Sequence, residues 1–130
     1  MSKWGVVVLI TVLLSASGCA AAQEDEVEQV TERLHAAIDQ QDGAAACELL
    51  SQQTQMQLQS SGDSCEVAVL EAGLSPDGRV EQVNVFDTSA QVRYDDDVIF
   101  LSDFPEGWRV IGAGCTPQAE RPYDCAVQGG

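Results

Sequence analysis

Five cysteines, one histidine and a run of three aspartates are the side chains of this 130-residue sequence best suited to chemistry. Zinc is held by closely spaced thiolates, and no C-x-x-C occurs among Cys19, Cys47, Cys65, Cys115 and Cys125, so metal binding is a poor use for them. Disulfide formation is the other use, which needs an oxidising compartment and consumes thiols in pairs. Five is odd, so one cysteine must have a separate task. His35 is the only histidine, and any imidazole chemistry must run through it. It lies next to Leu34, beside the apolar stripe of a helix, which predicts a partly exposed surface residue. Asp95-Asp96-Asp97, with Asp103 and Glu106 close by, offers hard oxygens of the kind Ca²⁺ takes. The run lacks the glycine and terminal glutamate of a calcium loop, and hairpin turns favour aspartate, so the turn reading is preferred. No Gly-x-Ser-x-Gly elbow, His-Glu-x-x-His pair, phosphate-binding glycine loop or G-x-G-x-x-G run is present. The sequence assigns no catalytic residue, no metal and no cofactor, and leans against an enzyme.

Residues 1–18 predict an export signal. Lys3 supplies the positive end, Trp4 to Leu14 form an apolar run broken only by Gly5 and Thr11, and small residues follow. The run falls short of the roughly 20 residues that span a bilayer as a helix. Leu14-Ser-Ala-Ser-Gly-Cys19 resembles the lipobox of bacterial lipoproteins: Ser17, Gly18 and Cys19 match it, and Ala16 departs from the preferred leucine. The resemblance implies cleavage before Cys19 and a lipid, palmitate included, on that cysteine, and two or more acyl chains anchor a protein stably to a membrane. The alternative is an ordinary signal cut near Ala22. With Cys19 given to lipid, four thiols remain for two disulfides. Of the three possible connectivities, the sequence-local Cys47–Cys65 and Cys115–Cys125 is favoured, each restricting the unfolded chain by about 3 kcal/mol in the entropic model.

The chain beyond the signal carries five arginines against 21 acidic residues, a net charge of −16. Such a surface repels phosphate backbones, which excludes nucleic acid as a partner. Acidity at this level is read as a solubility feature. The expected partners are the membrane, through the lipid, and an envelope protein or a small apolar ligand.

Ala20 to Gln23 is a short tether, each extended residue reaching at most about 3.5 Å. A single domain over residues 24–130 follows. Val27, Val30, Leu34 and Ile38 recur at helical spacing, with Glu24, Asp25, Glu26 and Glu28 crowding the first turn, where the helix dipole favours negative charge. Asp42-Gly43 ends that helix, and Asp42 caps a second through Ala44, Cys47 and Leu50. A polar helical stretch begins at Ser51. Asp63 and Glu66 have capping-box spacing for a short third helix that stops at Gly73. Cys47 and Cys65 thus fall on successive helices. After the turn Ser75-Pro-Asp-Gly78 the period changes to two, and four strands are predicted: Arg79–Phe86, Ser89–Tyr94, Val98–Phe104 and Trp108–Ala113. Short connections make them an antiparallel meander. Three helices on a four-stranded sheet is an α+β architecture. The tail around Arg121-Pro-Tyr-Asp-Cys125 is read as a structural loop pinned by its disulfide, and the terminal Gln-Gly-Gly as frayed.

This order of amphipathic helices and curved meander resembles the cone-shaped α+β fold of nuclear transport factor-like proteins. Ala46-Cys-Glu-Leu-Leu-Ser51, Cys65, Gly107-Trp-Arg-Val110, Gly114-Cys115 and Arg121-Pro-Tyr-Asp-Cys125 are similar to a group of small actinobacterial lipoproteins with no assigned activity. The resemblance implies address and fold, and supplies no catalytic residues. Folds of this kind often enclose a pocket between helix and sheet. Tyr94, Phe100, Phe104 and Trp108 are the candidate lining here, although core packing is the commoner role of large aromatics. The functional expectation is a membrane-anchored, non-catalytic binding or accessory domain. The alternatives are a pocket-type acid/base enzyme, which would need an inward carboxylate beside Tyr94, and a purely structural surface lipoprotein.

Overall fold

The apolar stripe winds into one long helix, α1 (Gly18–Asp39), and Val27, Val30, Leu34 and Ile38 are all buried by it. These observations come from a computed structural model, which describes residues 18–119 and 121–129. Of the predicted signal, residues 1–18, the first 17 lie outside the described residues, and Gly18 opens α1. Helix α1 starts six residues before the expected Glu24, so the tether Ala20 to Gln23 is helical rather than extended. Glu24, Asp25, Glu26 and Glu28 are therefore beyond the first turn, where the helix dipole no longer favours them. Residues Cys19 to Glu26 are all exposed, a projecting stalk about 12 Å long at 1.5 Å per residue.

Three short helices follow, each opened by a side-chain cap. Asp42 accepts from the Ala45 N–H at the head of α2 (Gly43–Glu48). Ser51 accepts from the Thr54 N–H at the head of α3 (Gln52–Gln59), the polar stretch that makes four helices where three were expected. At α4 (Cys65–Glu71) the cap is Ser64, which accepts from the Val67 N–H, one residue later than the capping box Asp63–Glu66 predicts. The Gln55 amide donates to the carbonyls of Cys47 (2.7 Å) and Leu50 (3.2 Å), tying α3 to the end of α2 and the link that follows it.

Five strands form one antiparallel meander in sequence order: β1 (Val80–Phe86), β2 (Ser89–Tyr94), β3 (Val98–Phe104), β4 (Gly107–Gln118) and β5 (Arg121–Gln128). β5 is the strand not expected. β4 runs on past Ala113 to Gln118, and the tail returns beside it with Cys115 opposite Cys125 and Ala113 opposite Val127. As far as Gly129 the tail is held rather than frayed, since the Gly129 N–H donates to the Ile111 carbonyl. Beyond the reach of β5, the chain between α2 and α3 takes its place: Ser51 N–H donates to the Val110 carbonyl at 2.9 Å and Val110 N–H to the Leu49 carbonyl at 2.8 Å. Leu34, Leu50, Ile99, Leu101, Val92 and Val110 meet between α1 and the sheet as the centre of the core, each worth about 1.5–3 kcal/mol of burial. The two disulfides join Cys47 of α2 to Cys65 of α4 and Cys115 of β4 to Cys125 of β5.

Candidate functional site

Burial gathers four polar side chains under α1. Thr31 and His35 lie one turn apart on its buried face, Tyr94 ends β2, and Asp97 stands at the mouth of β3. The Tyr94 hydroxyl donates to Thr31 Oγ1 at 2.6 Å, and the Thr31 hydroxyl donates to the Glu28 carbonyl at 2.8 Å. The His35 ring packs on Tyr94 with centroids 4.6 Å apart. Asp97 Oδ1 accepts the Cys115 N–H at 2.9 Å, and the Asp97 carbonyl accepts the Tyr94 N–H at 2.8 Å, clasping the β2–β3 turn to β4.

Electrostatics follow from that burial. His35 is only 9% exposed, not the partly exposed surface residue its sequence position predicts. The reason is the width of the buried face, which takes in Thr31 and His35 along with Leu34 and Ile38. Desolvation lowers the His35 pKa below 6.5, against the opposing pull of Asp97, Asp96 and Asp77. Its Nε2 is buried with no hydrogen-bond partner, a condition that costs about 1–3 kcal/mol for a polar group. Desolvation raises the Asp97 carboxyl, opposed by the N–H groups of Cys115 and Val98 and by His35. It also raises the Tyr94 hydroxyl, opposed by the bond to Thr31. An open cleft of about 300 Å³ reaches Tyr94 and Asp97 from outside, lined also by Glu81, Arg93, Asp95 and Asp96.

The aspartate run splits into separate tasks. Asp95 Oδ1 accepts the Arg79 N–H, Asp96 Oδ2 accepts the Ser75 hydroxyl, and Asp97 turns inward. Among the described residues no group of three or more His, Cys, Asp or Glu side chains is placed to hold a metal ion.

The four aromatics expected to share a pocket do not converge. Ile99 and Leu101 are fully buried, so the alternating Phe100 and Phe104 belong to the other face of the sheet. Tyr94 meets α1, and Trp108 is buried beside α1 near Val30 and Arg33. Phe100 instead forms, with Ile111, Gly112, Pro122, Tyr123 and Cys125, a shallow groove of about 310 Å³ with no charged residue in its lining. Phe100 and Tyr123 pack edge to face at 5.0 Å. Gly112 leaves the floor open, since a Cβ there would touch Cys125 Sγ at 3.4 Å, Cys115 Sγ at 3.5 Å and Phe100 Cδ2 at 3.7 Å. Sequence reasoning did not assemble this groove, because half of it comes from β5. Cys19, the expected lipid acceptor, is an exposed free thiol near the head of α1. No helix among the described residues is long and apolar enough to cross a membrane.

Compared with protein-family models, with curated proteins and with solved structures, the chain has no match.

Proposed function

We propose that this chain is an extracytoplasmic lipoprotein, held to the membrane by acyl chains on Cys19, whose one α+β domain is a non-catalytic binding or accessory module at the cell envelope. One observation carries the reading. Among five cysteines, the four in the folded body are paired and the one at the end of the projecting helix is free and exposed. That division suits an oxidising exterior and a single lipid acceptor. We read the sheet as the cone-like sheet of nuclear transport factor-like domains, and irregular register at Val80/Gln82, Phe100/Leu101 and Thr116/Gln118 supports a strongly coiled sheet. The uncharged groove at Phe100 and Tyr123 is the face suited to a small apolar ligand or an apolar side chain of an envelope protein.

The acid/base enzyme has one observation in its favour: a buried carboxyl, Asp97, beside Tyr94 and open to a cleft. Against it, Asp97 is engaged by the Cys115 N–H and the Tyr94 hydroxyl is spent on Thr31. Both groups do structural work, which favours the binding role.

Replacing Cys19 by serine tests the anchor. The variant is expected to move almost entirely from the membrane fraction to the soluble extracytoplasmic fraction, with its disulfides intact. Retention of Cys19→Ser in the membrane fraction would contradict the reading.

A further inference from the structure

We propose that the contact of His35 with Tyr94 is an acid-responsive latch, which holds α1 on the sheet near neutral pH and loosens it on mild acidification. The joint between α1 and the sheet is otherwise apolar, built on Val27, Val30, Leu34 and Ile38. Among the described residues, Tyr94 to Thr31 is the only hydrogen bond that crosses it. His35 sits one turn further along the same face, against the same tyrosine ring. Its Nε2 has no partner. In a neutral imidazole that atom forfeits only one hydrogen bond, but protonation makes both ring nitrogens donors and puts a full charge into the joint.

The groups facing His35 come from every side of the joint. Tyr94 faces it from β2, Asp97 and Asp96 from the β2–β3 turn, and Asp77 from the loop before β1, while Thr31 shares its own helix. The three carboxylates favour the imidazolium, yet burial outweighs them. Asp97 is the nearest in effect, and its own carboxyl takes up a proton more readily than an exposed aspartate. Acidification thus removes part of the negative charge that would support a charged His35.

A histidine whose folded pKa lies below its free value of 6.5 contributes full stability above pH 6.5 and loses it as pH falls through the folded pKa. One proton changes the docking equilibrium of α1 by at most about tenfold per pH unit. Asp97, raised by burial, has the opposite sign: its contribution is full below pH 3.8 and is lost as pH rises through its folded pKa. Loosening in mild acid therefore belongs to His35. The same helix carries Cys19, about 24 Å away along its axis, so on the anchor reading above the latch would govern how firmly the body is held to its membrane tether.

The chain holds a single histidine, so the test is unambiguous. The imidazole C2–H resonance of the intact mature protein, followed by NMR from pH 8 to pH 4, is expected to titrate with a midpoint below 6.5. Over the same range, amide exchange corrected for intrinsic rates should show protection of Val27 to Ile38 falling by up to tenfold per pH unit, ahead of the sheet. His35→Phe keeps a ring against Tyr94 and should abolish that dependence. A midpoint at or above 6.5, or the same loss of α1 protection in His35→Phe, would overturn the latch. Neither outcome bears on membrane attachment, which the Cys19→Ser fractionation decides separately.

Discussion

Alanine at Gly43 is expected to cost the domain about 3 kcal/mol or more, a large fraction of the stability of so small a protein. Gly43 is buried at the start of α2, where the helix lies directly against α4. A Cβ there would collide with the Glu66 carbonyl oxygen and come within 2.8 Å of its carbonyl carbon and 2.9 Å of its Cα. All three are backbone atoms, so no rotamer change relieves the contact. The helices cannot part easily either, because Cys47 and Cys65 tie them together with Cα atoms 6.2 Å apart. Relief has to come from shifting α4, and with it the buried Val69. In thermal unfolding the variant should melt more than about 10 °C below the native chain. Gly112→Ala is the matched control, since its Cβ meets neighbours only at ordinary contact distance and should leave the melting temperature within a few degrees.

Removing the disulfides has the second large effect. Cys47–Cys65 closes 18 residues and Cys115–Cys125 closes 10, and each restricts the unfolded chain by about 3 kcal/mol in the entropic model. A domain of this size is stable by about 5–15 kcal/mol, so full reduction should remove much of the margin. The two bridges are not equivalent. Cys47 and Cys65 are both buried, and replacing them by alanine also leaves a gap between α2 and α4. Cys115 and Cys125 face each other across a strand pair whose ladder holds that hairpin independently. Cys125 is also half-buried at the groove, so limiting reductant should open Cys115–Cys125 first. Denaturant titration of the Cys47→Ala/Cys65→Ala chain and timed thiol labelling check the two statements.

How much was legible in the sequence depended on what each element packs against. β2 keeps its expected bounds because Ala90, Val92 and Tyr94 alternate onto the buried face, and β3 keeps its own because short turns bracket it on both sides. β5 escaped because Gly114, Pro117 and Pro122 read as loop residues. Pro122 is tolerated because β5 is an edge strand, Pro117 falls in the register irregularity of β4 between Thr116 and Gln118, and Gly114 takes φ +64 within the twisted ladder. The alternation of Tyr123, Cys125 and Val127 was the available signal. His35 was misplaced because a stripe drawn from apolar residues alone is too narrow, and Thr31 four residues earlier marks the same face. Asp97 was hidden in a run whose first two members do serve the turn. Only the partner strand β4, which presents the Cys115 N–H, distinguishes the third. The groove was invisible for the same reason, since it needs β5 beside Gly112.

The proposed anchor needs one thiol to carry lipid while the other four are locked in pairs. Mass spectrometry of peptides from the membrane-extracted protein, digested without reduction, tests it most directly. The predicted result is a first peptide that starts at acylated Cys19, with linked peptides joining Cys47 to Cys65 and Cys115 to Cys125. A chain that still carries residues 1–18, an unmodified Cys19, or free thiols at the other four positions would contradict it.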